Sequence, residues 1–242
     1  MIERTQPNRA MLIILGVLAV SLAALLLVPP ISQNQSYHQF ADARTWLGIP
    51  NFWNVVSNLP FIVVGGVGLW QFHRDPATAV LFGGFLLTGF GSAYYHWSPN
   101  DAGLFWDRLP IAVSFMALFS AAIEERVSAR AGVLLLWPLV AVAVLSLLVW
   151  HWTGDLRLYG WAQFFPLLVL PFMLLLLPAR YTGTSYWVVA TVCYAIAKAA
   201  EHYDRAIYAF GSPLSGHTIK HLAAGAGCYA LLRYYQTRRP LA

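Results

Sequence analysis

Charge is scarce in this chain: lysine and arginine number 15, aspartate and glutamate 10, and charged residues make up only 10% of 242. A soluble domain usually carries about 25%, so the shortage excludes an ordinary soluble fold. Cysteine is nearly absent. Cys193 and Cys228 show no CxxC or ligand-like spacing, and they read as packed thiols, not as metal ligands. Internal repeats, heptad arrays and low-complexity linkers are missing too, which leaves the chain as a single unit.

What is present is apolar length. Hydrophobic residues make up 59% of the chain and the mean hydropathy is +0.59. Runs able to cross a hydrocarbon core of roughly 30 Å occur at 10–29, 52–71, 78–97, 105–123, 132–152, 159–178, 185–202 and 215–235. Their length predicts helices, because barrel strands would be about 9–11 residues long and would alternate. The expected fold is an all-α integral membrane protein, a seven-helix transmembrane bundle with one additional N-terminal transmembrane helix. Its divisions are 1–30 for that first helix or signal anchor, 31–50 for a non-cytoplasmic loop, 51–236 for the seven-helix domain and 237–242 for a cytoplasmic tail. The first run follows Arg4 and Arg9 and has no clear small-x-small site after Leu27, so it reads as an uncleaved anchor before it reads as a signal peptide.

Connecting loops are short enough for their basic residues to orient the bundle. With the N terminus inside, the inner segments hold Arg4, Arg9, Arg74, Arg126, Arg130, Arg180, Arg233, Arg238 and Arg239, against Arg44, Arg157 and Arg205 outside. This bias of nine to three puts both termini in the cytoplasm. The net charge of +5 is therefore mostly topological and does not describe a nucleic-acid patch.

Ionisable groups inside spans cost about 2.5–3.5 kcal/mol each on insertion scales, so their positions are informative. They gather at one end. The third run travels outward and carries Ser92 and His96; the fourth begins outside with Asp107 in its first turn; the eighth begins outside with His217 and His221. Asn54, Ser57 and Asn58 lie at the same end of the second run and read as hydrogen-bonding glue between helices. His217 and His221 are four apart and stack on one helical face, where both can reach one metal ion, and His96 can supply a third nitrogen. Three imidazoles leave one tetrahedral position open, as catalytic zinc sites do. Ser92 lies one turn before His96 on the same face, and Asp107 can face reacting water or orient a ligand histidine.

Two histidines at interfacial depth could also simply bond headgroups or backbone, and His151 or His202 could replace His96 as the third ligand. Glu201 and Asp204 read as solvated helix-end charges. Arg108 and Lys220 are expected to snorkel to headgroups, the alternative being that they hold an anionic lipid group. Trp53, Trp97, Trp106, Trp152 and Trp161 fit an aromatic belt.

At these residues the chain resembles the alkaline ceramidase family, within a wider membrane-hydrolase superfamily that also includes adiponectin-receptor-like proteins. The resemblance runs from about Asn51 to Tyr235. It rests on Phe52-Trp53-Asn54-Val55-Val56-Ser57-Asn58, on Gly91-Ser92 with His96, on Asp107-Arg108-Leu109-Pro110 and on His217-Thr218-Ile219-Lys220-His221. It implies a seven-helix core with its N terminus outside, matching runs two to eight, and a first run added to that core. It carries His96, His217 and His221 over as zinc ligands and Ser92 and Asp107 over as catalytic groups. One feature departs from the family: calcium-binding members use an acidic loop before the Phe-Trp-Asn motif, whereas this loop offers Asp42, Asn51 and few other carboxylates, which argues against a calcium site.

The resemblance thus implies a zinc-dependent transmembrane lipid amide hydrolase, a ceramidase-like enzyme acting on carbon–nitrogen bonds of linear amides. It would cleave an N-acyl sphingoid lipid to a fatty acid and a free amine near the non-cytoplasmic face. The alternative is a zinc-containing seven-helix receptor or sensor of the adiponectin-receptor-like kind. A bis-histidine haem protein is a further reading, and a proton or metal-ion transporter is disfavoured by polar residues gathered at one end. The partner expected is membrane lipid, not nucleic acid.

Overall fold

Short polar residues punctuate the apolar runs, and the chain turns where they stand. The computed structural model describes residues 9–241; Arg4, the rest of 1–8 and the final residue of the 237–242 tail lie outside the described residues. The elements are α1 (Arg9–Leu27), a 3-10 turn (Gln35–His38), α2 (Phe52–Val56), α3 (Leu59–Phe72), α4 (Pro76–Trp97), α5 (Asp101–Arg126), α6 (Ala129–Thr153), α7 (Arg157–Leu176), α8 (Thr184–His202), α9 (Asp204–Ala209) and α10 (Gly216–Thr237). Asp75, Asn100, Ser128 and Ser215 start α4, α5, α6 and α10, each side chain accepting from a backbone N–H that the first turn leaves free. Gly154, at φ 74°, ends α6 in the left-handed conformation that costs glycine little.

The chain is an all-helical, multi-pass membrane protein; the described residues contain no strand beyond two isolated bridges. Five segments are long and apolar enough to cross a membrane: Phe52–Phe72, which joins α2 and α3, and α4, α5, α6 and α7. Helices α8 and α10 are of similar length but less apolar, since they carry Lys198, Glu201, His217, Lys220 and His221. Two departures from the sequence expectation bear on the site. The second run breaks at Ser57 and Asn58 into two helices. The fourth run becomes a helix that starts at Asp101, because Asn100 caps it there, so Asp107 lies in its second turn and not its first.

Helix α4 packs between α3 and α5, α5 also meets α6 and α7, α10 joins α8 to α3, and α1 lies against α7. Small residues set the closest approaches, as membrane helix pairs require. A Cβ on Gly91 would stand 2.2 Å from the Trp106 carbonyl oxygen, so α4 and α5 touch through backbone one residue from both Ser92 and Asp107. Gly91→Ala is expected to destabilise the bundle by about 1–3 kcal/mol, the usual scale of overpacking, read as a lower unfolding midpoint in detergent; an unchanged midpoint would contradict this contact. At the opposite end, buried Glu125 pairs with Arg238 and accepts from the Tyr234 hydroxyl. The Leu241 N–H donates to the Arg180 carbonyl (2.9 Å), so the tail is tied to the α7–α8 connection.

Candidate active site

Three imidazoles converge where α4 ends and α10 begins. His217 and His221 share a face of α10 at helical spacing, and His96 in the last turn of α4 meets them. One nitrogen from each lies within 4.8 Å of the others, and all three residues are buried. His96 Nε2 and His217 Nε2 stand 2.7 Å apart. His151 and His202 are exposed and take no part in the group.

Neighbouring groups fix which ring nitrogens carry protons. His96 Nδ1 lies 2.6 Å from the Ser92 carbonyl oxygen, which can only accept, so Nδ1 holds the hydrogen and Nε2 presents a lone pair. Ser57 Oγ lies 2.8 Å from His221 Nδ1 and 3.3 Å from the Asn54 carbonyl oxygen. The hydroxyl donates to that carbonyl and accepts from Nδ1–H, which leaves His221 Nε2 as an acceptor, buried and without a partner. Leaving such an atom unpaired costs about 1–3 kcal/mol, unless something electron-deficient occupies the space between the rings. Neutral imidazoles with inward lone pairs are the donor set a divalent metal takes, so the residues fit a metal ion.

The segment between α1 and α2 closes this end. Phe40 stacks on His96 at 4.8 Å between centroids and packs on His217 at 4.6 Å. Asn51 donates to the His96 carbonyl oxygen (2.9 Å), and Asp204 accepts from the His217 N–H (2.7 Å) and the Ala41 N–H (3.0 Å). Asp42 binds Arg44 through two of its guanidinium nitrogens, at 2.8 and 2.6 Å. Burial alone would raise the Asp42 carboxyl, but hydrogen bonds and charge from Arg44 outweigh it and hold the group below its ordinary value.

Below the histidines lies a cavity of about 390 Å³ enclosed by α3, α4, α5, α7, α8 and α10. Phe61, Phe85, Leu118, Leu170 and Trp187 make its apolar wall, and Ser92, Asp107, Arg108, Glu201, Lys220 and His221 its polar part. Asp107 is 5% exposed and its Oδ1 has no partner. Two exposed residues of the lining, Ile31 and Phe164, mark an opening along the flank of α7.

Several charges differ from their sequence reading. Glu201 is not a solvated helix end: it pairs with Lys198 and with Lys220 (3.1 Å) and accepts from the Tyr37 hydroxyl at 2.9 Å. Burial, with the charge of Glu201 adding to it, holds the Tyr37 phenol well above its ordinary value. Asp204 caps α10 instead of facing water. Lys220 does not snorkel, because its amine reaches Glu201 and lies 2.9 Å from His217 Nε2. Arg108 does not either, being 8% exposed between aromatic rings. Ser57 and Asn54 both bridge helices, as read: Ser57 bonds His221 of α10, a candidate ligand, and Asn54 accepts from Thr218 Oγ1 (2.9 Å). Lys198 and Glu201 are three apart on α8, a pairing distance on a helix that could have flagged them.

No curated protein matches the chain. The model of the family described as Ceramidase matches residues 47–240, a span that contains α2 to α10, the three histidines, Ser92 and Asp107. The chain belongs to the ceramidase family.

Proposed function

We propose that the protein is a zinc-dependent lipid amide hydrolase that splits a ceramide-like N-acyl lipid into a fatty acid and an amine. The observation that carries this reading is the buried imidazole triad beside Asp107 and Ser92 at the polar end of an otherwise apolar cavity. Membership of the ceramidase family supports the hydrolase class. His96, His217 and His221 would hold the zinc, which when bound supplies Lewis acidity toward an amide carbonyl and toward water. Asp107 takes a proton from the attacking water as its oxygen bonds to the acyl carbon, and returns that proton to the nitrogen as the carbon–nitrogen bond breaks. The Ser92 hydroxyl donates to the oxygen on which negative charge develops. Phe40 and the rest of the 31–50 segment keep bulk water from the histidines, and the apolar cavity receives the hydrocarbon chain. The test is release of fatty acid from N-acyl sphingoid lipid by the purified protein; failure to cleave any lipid amide would move the receptor or sensor reading ahead.

In this reading α2 with α3, then α4, α5, α6, α7, α8 and α10, form a seven-helix core, and α1 is an added span. Both termini are cytoplasmic and the histidines lie near the opposite face, as the basic residues of the loops indicate. A cysteine introduced by Ala102→Cys, at an exposed position in the first turn of α5, is expected to react with an impermeant thiol reagent added outside. Reaction only from the cytoplasmic side would invert this topology.

A further inference from the structure

Arg108 stands next to Asp107 on α5, lines the same cavity, and is 8% exposed. Its guanidinium carbon lies 5.4, 4.8 and 5.0 Å from the ring centroids of Tyr37, Trp150 and Tyr159. Those ring faces offset part of the cost of burying a cation, but they accept no in-plane hydrogen bond. Nη1 is buried with no partner, and among the described residues no carboxylate stands within ion-pair distance of the group. The carboxylate of Glu201 is already taken by Lys198, Lys220 and Tyr37. A permanently charged fork therefore lines the reaction cavity unpaired, in a setting where buried charges are normally paired.

We infer that Arg108 determines specificity by binding an oxyanion on the amine side of the substrate, so that the preferred lipid is an N-acylated amine bearing a carboxylate or a phosphate. A guanidinium edge matches either group in a bidentate, charge-assisted geometry. Arg108 lines the same cavity as Asp107, the residue that hands a proton to the leaving nitrogen, while the apolar wall takes the acyl chain. This inference rests on the hydrolase reading for the word substrate, but its binding arm stands apart from turnover.

The experiment measures binding of N-palmitoylglycine, ceramide 1-phosphate and neutral N-palmitoylethanolamine to the full-length protein in detergent, with fatty-acid release followed in the same samples. At least one acidic lipid is expected to bind on the order of 10- to 100-fold more tightly than the neutral amide, the scale of a hydrogen bond to a charged group. Whichever is preferred identifies carboxylate or phosphate. Arg108→Gln should abolish that preference and Arg108→Lys should keep part of it, with unfolding midpoints confirming that both variants fold. Equal binding of neutral and acidic lipids by the native protein, which needs no variant, would overturn the inference, as would an undiminished preference in folded Arg108→Gln. Absence of turnover with the preference intact would remove the hydrolase reading and leave the oxyanion site standing.

Discussion

His217→Ala and His221→Ala are each expected to lose most of a zinc content of about one ion per chain, because two imidazoles do not substitute for a three-ligand site. His96→Ala should behave the same way and lose turnover with the metal. The expectation follows from three ring nitrogens that lie within 4.8 Å of one another and from a His221 Nε2 that has no other partner. The neighbour of His221 extends the test: Ser57→Ala removes the acceptor of its Nδ1–H, and zinc affinity should fall about 10- to 100-fold, as when other outer partners of ligand histidines are removed. Metal analysis of purified variants reads all of these. Full zinc in both α10 variants would end the ligand assignment; His151 and His202, being exposed, would then be examined as a separate surface site.

Asp107→Asn separates the metal from the chemistry. The change keeps size and part of the hydrogen bonding but removes the carboxylate that would accept a proton, so zinc should stay bound while lipid amide turnover falls by about 10²-fold or more. Ser92→Ala should also keep zinc and lose about 10²–10³ in rate, the scale of one oxyanion donor. The structure sharpens the expectation for Asp107, whose Oδ1 is buried and unpartnered at the cavity wall, so the amide would break no bond made by that atom. Near-normal turnover of Asp107→Asn with zinc in place would make the residue structural and remove the central proton step.

The histidine cluster was legible in the sequence because two simple geometries suffice to assemble it. Helical spacing brings His217 and His221 together, and alternating span direction brings the end of α4 to the start of α10. Ser92 and Asp107 followed from the same depth argument, and the helix start at Asp101 puts Asp107 four residues deeper from the helix start than the apolar run alone suggests, about one turn. What was not legible depends on contacts between distant parts of the chain. Tyr37 and Glu201 meet across 164 positions, and Asp204 reaches Ala41 across 163; neither partner carries a local pattern that names the other. Ser57 was read as interhelical glue, and it does bond across to α10, but its partner was not legible for a related reason. A serine near a helix break has several common uses, and only the position of His221 Nδ1 selects one. Arg108 was placed at headgroup depth from its span alone, whereas the rings around it come from the 31–50 segment, α6 and α7.

The opening along α7 has a kinetic consequence. Phe40 stacks on His96 and packs on His217, so in the proposed reading a long-chain lipid would meet the cavity through the side, from within the leaflet. The quantity that fills the cavity is then the mole fraction of substrate among surrounding lipids, not its amount per volume of buffer. Saturation measured in micelles should shift as detergent is added at constant total substrate, since each added detergent molecule dilutes the surface on which enzyme and lipid collide. An inhibitor would likewise be ranked by how strongly it partitions into the bilayer before any contact with the protein is counted.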